Sequence, residues 1–142
     1  MANMIVYKFG GASVKSSEGI KNILEIVSMS NEDMFIVISA MGKTTNAMEV
    51  ILEHFMHSER EQALRRLDDV EAYHREVIEA LFADVAAGER AIAPLFAEMR
   101  EFINHGIGND YDRCYDQLVS YGEVISTSII SAYFTESGMT NQ

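Results

Sequence analysis

The sequence predicts an α/β fold on a parallel sheet, followed by a long helical stretch, and three observations carry that expectation. Two continuous apolar runs, at residues 4–9 and 34–40, flank a single amphipathic segment. Each run ends in a turn of small or hydroxylic residues that opens a helical pattern. From residue 47 onward, apolar residues recur at the helical period and no further strand-like run is found.

Residues 4–9, MIVYKF, are apolar and β-branched or aromatic apart from Lys8, and they stop at Gly10-Gly11, as a buried strand does. Ser16 and Ser17 offer capping oxygens to a helix over about 17–29, whose Ile20, Ile23, Leu24 and Val27 fall on one stripe. The turn SNED leads to MFIVISA, a second apolar run of the kind expected in a strand covered on both faces. Strand, helix and strand make a βαβ unit with a right-handed crossover. Met48, Ile51, Leu52 and Phe55 mark a second helix, and Leu64, Leu67, Val70, His74, Val77, Ile78 and Leu81 a third. Pro94 suits the first turn of a helix carrying Leu95, Phe96, Met99, Phe102 and Ile103, which the glycines of HGIGND end. A last helix is expected from about residue 112 to 135, stopping before Gly138. Two strands are too few to bury a parallel sheet, so residues 1–142 are expected to be the first part of a larger α/β domain. Residues 1–46 would form its βαβ phosphate-binding part and 47–142 its mainly helical part.

Composition removes several function classes. The 142 residues are 48% hydrophobic, and 22 acidic against 11 basic side chains give a net charge of -11. Such a field repels nucleic acid and anionic lipid, so neither is expected as a partner. A small site can still attract an anion through backbone N–H groups and a lysine. The single cysteine, Cys114, permits no internal disulfide, and the first residues lack the layout of a signal peptide. No apolar run approaches the roughly 20 residues of a membrane span, and a cytoplasmic location is the expectation.

Three stretches carry chemistry. In KFGGAS, Gly10 and Gly11 permit close backbone approach and positive φ, the following N–H groups point toward a helix start, and Lys8 adds a charge at the carboxyl end of the strand. Phosphate would suit such a turn, although a plain turn beside a snorkelling lysine fits the same letters. SAMGKTTN invites a P-loop reading, but that motif needs glycine where Val37 stands. It is instead a second strand-to-helix turn, with Ser39, Gly42, Thr44 and Thr45 at the same sheet edge as the first; an N-cap by Thr44 or Thr45 without any ligand is the alternative. In SYGEVIS, Gly122 interrupts a good helix at a cost of about 1 kcal/mol against alanine, which asks for close packing or ligand approach. Glu123 beside it is either the partner of a ligand ammonium or a surface glutamate. His54 and His57 have no third ligand at metal-binding spacing, so no metal site is assigned; His74 and Cys114 read as structural.

In order and spacing, KFGGASV, SAMGKTTN and SYGEVIS resemble the amino-terminal part of the aspartokinases, within the amino acid kinase family, with Ala12 where that family commonly has a hydroxyl. The resemblance implies an α/β/α amino acid kinase-like domain with a long helical insertion. It also implies transfer of the ATP γ-phosphoryl group to the side-chain carboxylate of L-aspartate, the first step of lysine, threonine and methionine biosynthesis. By the same carry-over, Lys8 would stabilise the phosphoryl group, Gly10, Gly11 and Ser13 would contact the phosphates, and Ser39 and Gly42 would shape the second wall. Thr45 and Glu123 would bind aspartate, and Mg2+ would arrive on the ATP phosphates. The family's catalytic aspartate and nucleotide-base pocket lie beyond residue 142, so the isolated chain is expected to be an inactive fragment. Homo-oligomer formation is left open. A catalytically dead helical protein-interaction module and a kinase for another small carboxylate are the competing readings.

Overall fold

The structure is a computed structural model that describes residues 4–142. Its elements run β1 (Ile5–Phe9), α1 (Ser17–Ser28), β2 (Met34–Ile38), α2 (Thr44–Met56), α3 (Arg60–Leu81), α4 (Val85–His105), α5 (Tyr111–Leu118) and α6 (Tyr121–Glu136). β1 and β2 pair in parallel, Ile5 opposite Met34 through to Phe9 opposite Ile38. Ser16 caps α1, its Oγ accepting from the Gly19 amide at 3.2 Å, and Ile20, Ile23 and Val27 are buried, as the capping and stripe signals require.

Helices cover one face of the sheet. Phe9, Met34, Ile36 and Ile38 pack against the core, whereas Val6 (66% exposed), Phe35 (62%) and Val37 (48%) stand on an open face with Lys8. The expected burial of β2 on both faces is therefore not met by the described residues. Its continuous apolar run is that of a two-sided strand, but the described helices supply only one layer.

Most of the core lies among the helices. Met48, Ile51, Leu52 and Phe55 of α2 meet Ala63, Leu67 and Val70 of α3, while Ile92, Phe96, Met99 and Ile103 of α4 meet the buried side of α6. The α2–α3 corner closes with the Glu59 amide on the His54 carbonyl (2.8 Å) and the Ser58 amide on the Phe55 carbonyl (3.0 Å), which forces Ser58 to φ 61°. Arg100 of α4 reaches Asp68 (2.6 Å) and Glu71 of α3, and Arg60 caps the end of α4 through the carbonyls of Asn104 and Gly106.

Two helix boundaries differ from expectation. Pro94 lies inside α4, nine residues after its start at Val85, because the run VAAGERAIA is helix-forming and its Gly88 packs closely on Ile78 and Phe82. Proline there removes one backbone donor, and tertiary packing outweighs the local penalty. The expected helix over 112–135 is two helices, with α5 ending at Leu118 and α6 starting at Tyr121. Asp110 caps α5 by accepting from the Arg113 amide at 3.2 Å, and the break at Val119–Ser120 re-aims the chain so that Gly122 reaches the second turn.

Candidate functional site: two turns at one sheet edge

The parallel register brings the turns after β1 and β2 side by side. The Ser39 amide donates to the Phe9 carbonyl and the Gly42 amide to the Gly11 carbonyl, each at 3.0 Å. Gly11 is the tightest point: a Cβ there would lie 2.7 Å from the Ala40 carbonyl oxygen and 3.1 Å from that of Gly42. Gly10 differs, since a Cβ at that position would meet nothing within 4 Å. Neither residue has positive φ, contrary to the conformational role expected of them; Gly42 does, at φ 54°. Gly11 is thus explained by the fold, whereas neither packing nor backbone conformation explains Gly10. The open space over it is what a ligand would use.

Around this junction several backbone donors are free. Among the described residues, the amides of Gly11 and Ala12 in the first turn, and of Thr45 and Asn46 at the start of α2, find no protein acceptor. Ser13 closes the first turn, its amide donating to the Gly10 carbonyl at 3.0 Å, and its side chain is exposed. Lys43 stands at the N-cap of α2 without a side-chain cap bond, so the alternative reading of the turn, an N-cap by Thr44 or Thr45, is not what the structure has. Buried Thr44 instead donates its hydroxyl to the Met41 carbonyl at 2.6 Å.

The third stretch supports the second turn from below. A Cβ on Gly122 would lie 3.1 Å from Ala40 Cβ and 3.4 Å from Thr44 Cγ2, so close helix packing accounts for this glycine. One helical turn later, Ser126 is fully buried and donates its Oγ to the Ser39 carbonyl at 2.8 Å. Ser126 had no assigned role in the sequence, although its i+4 spacing from Gly122 puts both on one face. Tyr121 donates to Glu98 at 2.6 Å, and that bond, with burial, pushes its phenol up to about 12. Glu123 is exposed and unpaired among the described residues, so the buried-carboxylate argument for it does not hold.

Lys8 lies opposite Val37 in the register, one residue before the end of β1, exposed on the open face of the sheet. The structure therefore brings Gly11, Ser39, Gly42 and the α2 start together, with Gly10 and Ser13 on the first turn. Lys8 is exposed on the open face of the sheet and Glu123 on the first turn of α6, and among the described residues neither makes a hydrogen bond or ion pair to the two turns. Behind the turns, Gly42 also lines a separate cavity between α2 and α3. Free amides and lysine suit an anion rather than a cation, and among the described residues no three His, Cys, Asp or Glu side chains gather to hold a metal. Nor is any described helix long and apolar enough to cross a membrane.

Known proteins resemble this chain over nearly its whole length. Aspartokinase 1, chloroplastic, of Arabidopsis thaliana is 31% identical over 140 residues, covering 94% of this chain and 24% of the relative. The aspartokinase of Chlamydia muridarum is 28% identical over 129 residues, covering 91% and 27% respectively. Among solved structures, E. coli aspartokinase III in complex with aspartate and ADP (R-state) superposes with a TM-score of 0.85 at 22% identity, over 99% of this chain and 30% of that one. The same enzyme in complex with lysine and aspartate (T-state) gives 0.83 at 22% identity, over 96% and 30%. At this identity the superposition speaks for the fold. The chain spans about a quarter of the length of the curated relatives it matches. A model of the amino acid kinase family matches residues 3–142, and the chain, with its parallel βαβ unit and paired turns, belongs to that family.

Proposed function

We propose that the complete protein is an aspartate kinase, transferring the γ-phosphoryl group of ATP to the side-chain carboxylate of L-aspartate to give 4-phospho-L-aspartate. The observation that carries this reading is the junction of two turns with free amides and an open Gly10 surface, the first of which directly follows the strand that carries exposed Lys8. The aspartokinase relatives, and the aspartate and ADP bound by the E. coli neighbour, support the choice of acceptor and nucleotide.

The chemistry asks little of the protein beyond placement. An aspartate carboxylate, with an ordinary pKa of about 3.9, is already ionised at neutral pH, so no general base is needed to make it a nucleophile. What must be supplied is alignment and neutralisation of the phosphoryl oxygens. In this reading Gly10, Gly11 and Ser13 hold the phosphates, with the amides of Gly11 and Ala12 donating. Ser39 and Gly42 form the second wall, held by the Ser126 and Gly11 hydrogen bonds. Lys8 meets the charge on the transferring group, Thr45 contacts aspartate, and the exposed Glu123 accepts its ammonium. Mg2+ is taken as riding on the nucleotide phosphates, where it adds positive charge; no residue of this chain is assigned to ligate it. We place this activity in the cytoplasm, a reducing compartment with which the lone buried thiol of Cys114 is compatible.

A coupled assay of the complete polypeptide with Mg-ATP and a panel of small carboxylates tests the reading. Aspartate should be the preferred acceptor, and Glu123→Gln should raise the KM for aspartate about tenfold, the loss of roughly 1.4 kcal/mol from a charge-assisted contact. Preference for a carboxylate without an α-ammonium group would refute it. The isolated chain 1–142 should give no turnover.

A further inference from the structure

We propose that the cavity behind the two turns is a second binding site, for a small amphipathic anion: a carboxylate or phosphate ester on a short apolar body. The cavity measures about 670 Å³ and is walled by the first turn (Lys15), the second turn (Gly42, Lys43), α2 (Thr44, Ala47, Val50) and α3 (Arg66, Asp69, Val70, Tyr73). That size suits a small molecule.

Its charge runs against the rest of the molecule. The chain as a whole carries -11. Arg65, Arg66, Arg75, Arg90 and Arg100 are paired with carboxylates, and Arg60 is held by carbonyl groups. Like Lys8, Lys21 and Arg113, Lys15 and Lys43 have no acidic partner among the described residues, and of these five they are the two that line this cavity. The one carboxylate in the wall, Asp69, is already engaged by Arg66 at 3.6 Å. Lys15, Lys43, Arg66 and Asp69 thus sum to two positive charges, which an anion would neutralise at short range. The remaining lining is apolar apart from the hydroxyls of Thr44 and Tyr73, each already donated to a backbone carbonyl, and Val50 is 39% exposed, so a ligand with a hydrocarbon portion gains by covering it.

The site is distinct from the proposed aspartate contact. At about 100° per residue along α2, its lining residues Thr44, Ala47 and Val50 all lie at least roughly 100° around the helix from Thr45, which does not line the cavity. It is nevertheless joined to the phosphate turns. Tyr73 donates its hydroxyl to the Lys15 carbonyl at 2.7 Å, and that same hydroxyl would lie 3.1 Å from a Cβ on Gly42. An anion between Lys15 and Lys43 therefore ties the first turn to the second.

Isothermal titration of the complete polypeptide, with saturating Mg-ATP present, tests this with phenyl phosphate, hexanoate and inorganic phosphate as probes. Phenyl phosphate, hexanoate or both should bind at least tenfold more tightly than inorganic phosphate, and whichever binds identifies the anionic group. Lys15→Ala/Lys43→Ala should weaken that binding at least tenfold, with an unchanged melting temperature because both side chains are exposed; Val50→Asp should do the same. Absence of heat from both organic probes, binding indifferent to these substitutions, or loss of binding when Mg-ATP is added would overturn the proposal. The readout is heat rather than turnover, so failure of the kinase reading would leave this result standing.

Discussion

Gly10 and Gly11 adjoin in sequence yet have different reasons to be glycine, and alanine at each separates the two. At Gly11 the new methyl would lie 2.7 Å from the Ala40 carbonyl oxygen, so the turns must part by roughly 0.7 Å to restore ordinary contact. That overpacking costs about 1–3 kcal/mol. Weakening the Gly42–Gly11 hydrogen bond adds about 0.5–1.5 kcal/mol, for a total of about 1.5–4.5 kcal/mol. At Gly10 the methyl meets nothing within 4 Å and φ is not positive, so stability should change by less than about 0.5 kcal/mol. That methyl does, however, occupy the space assigned to the phosphates. Thermal unfolding and nucleotide titration of the complete polypeptide give both numbers. Gly11→Ala should lower the melting temperature. Gly10→Ala should leave it unchanged while weakening nucleotide binding at least tenfold, or about 1.4 kcal/mol. Wild-type nucleotide affinity in Gly10→Ala would refute the assignment of that open surface to phosphate.

Two further predictions concern the helical part. Ser58 holds the left-handed conformation at the α2–α3 corner, where L-residues pay about 1–2 kcal/mol. Ser58→Gly should recover up to about 1 kcal/mol in chemical denaturation, and a destabilised variant would contradict the strain. His74 is fully buried between Tyr73 and Phe96, its Nδ1 bonded to the Val70 carbonyl at 2.7 Å and its Nε2 without a partner. Burial holds its pKa below the ordinary 6.5, only partly offset by the Val70 bond. The folded state keeps the ring neutral while the unfolded chain binds a proton below about pH 6.5, so its contribution is full above that pH and declines toward acid. The stability difference between wild type and His74→Gln should therefore shrink as pH falls from about 7 to about 5; a constant difference would show that His74 does not titrate differently on unfolding.

Much of the architecture was legible because it is local. The apolar runs, the Ser16 cap and the stripe of α1 each follow from a few neighbouring residues, and the structure reproduces them. The start of α4 was misplaced because Pro94 is a strong local signal, overridden by helix-forming residues ahead of it and by Gly88 packing on Ile78 and Phe82. The uncovered sheet face was not legible, since an apolar run reports what a strand needs and not what lies beside it. At the site, KFGG and SAMGKTTN pointed to two turns, but the reasons for individual glycines came from atoms distant in sequence. Gly122 answers to Ala40 and Thr44, and Gly42 to Tyr73. Tyr73 and Ser126 reach the turns from 58 and 87 residues away, and nothing short of the fold pairs them.

The most direct test of the central claim is the turnover of Lys8→Ala in the complete polypeptide, measured with Mg-ATP and aspartate alongside the affinity for each. Losing a preorganised charge at the transferring group should lower kcat by about 10²–10³-fold, with aspartate affinity nearly unchanged. Wild-type kcat in Lys8→Ala would contradict the placement of the phosphoryl group at this sheet edge.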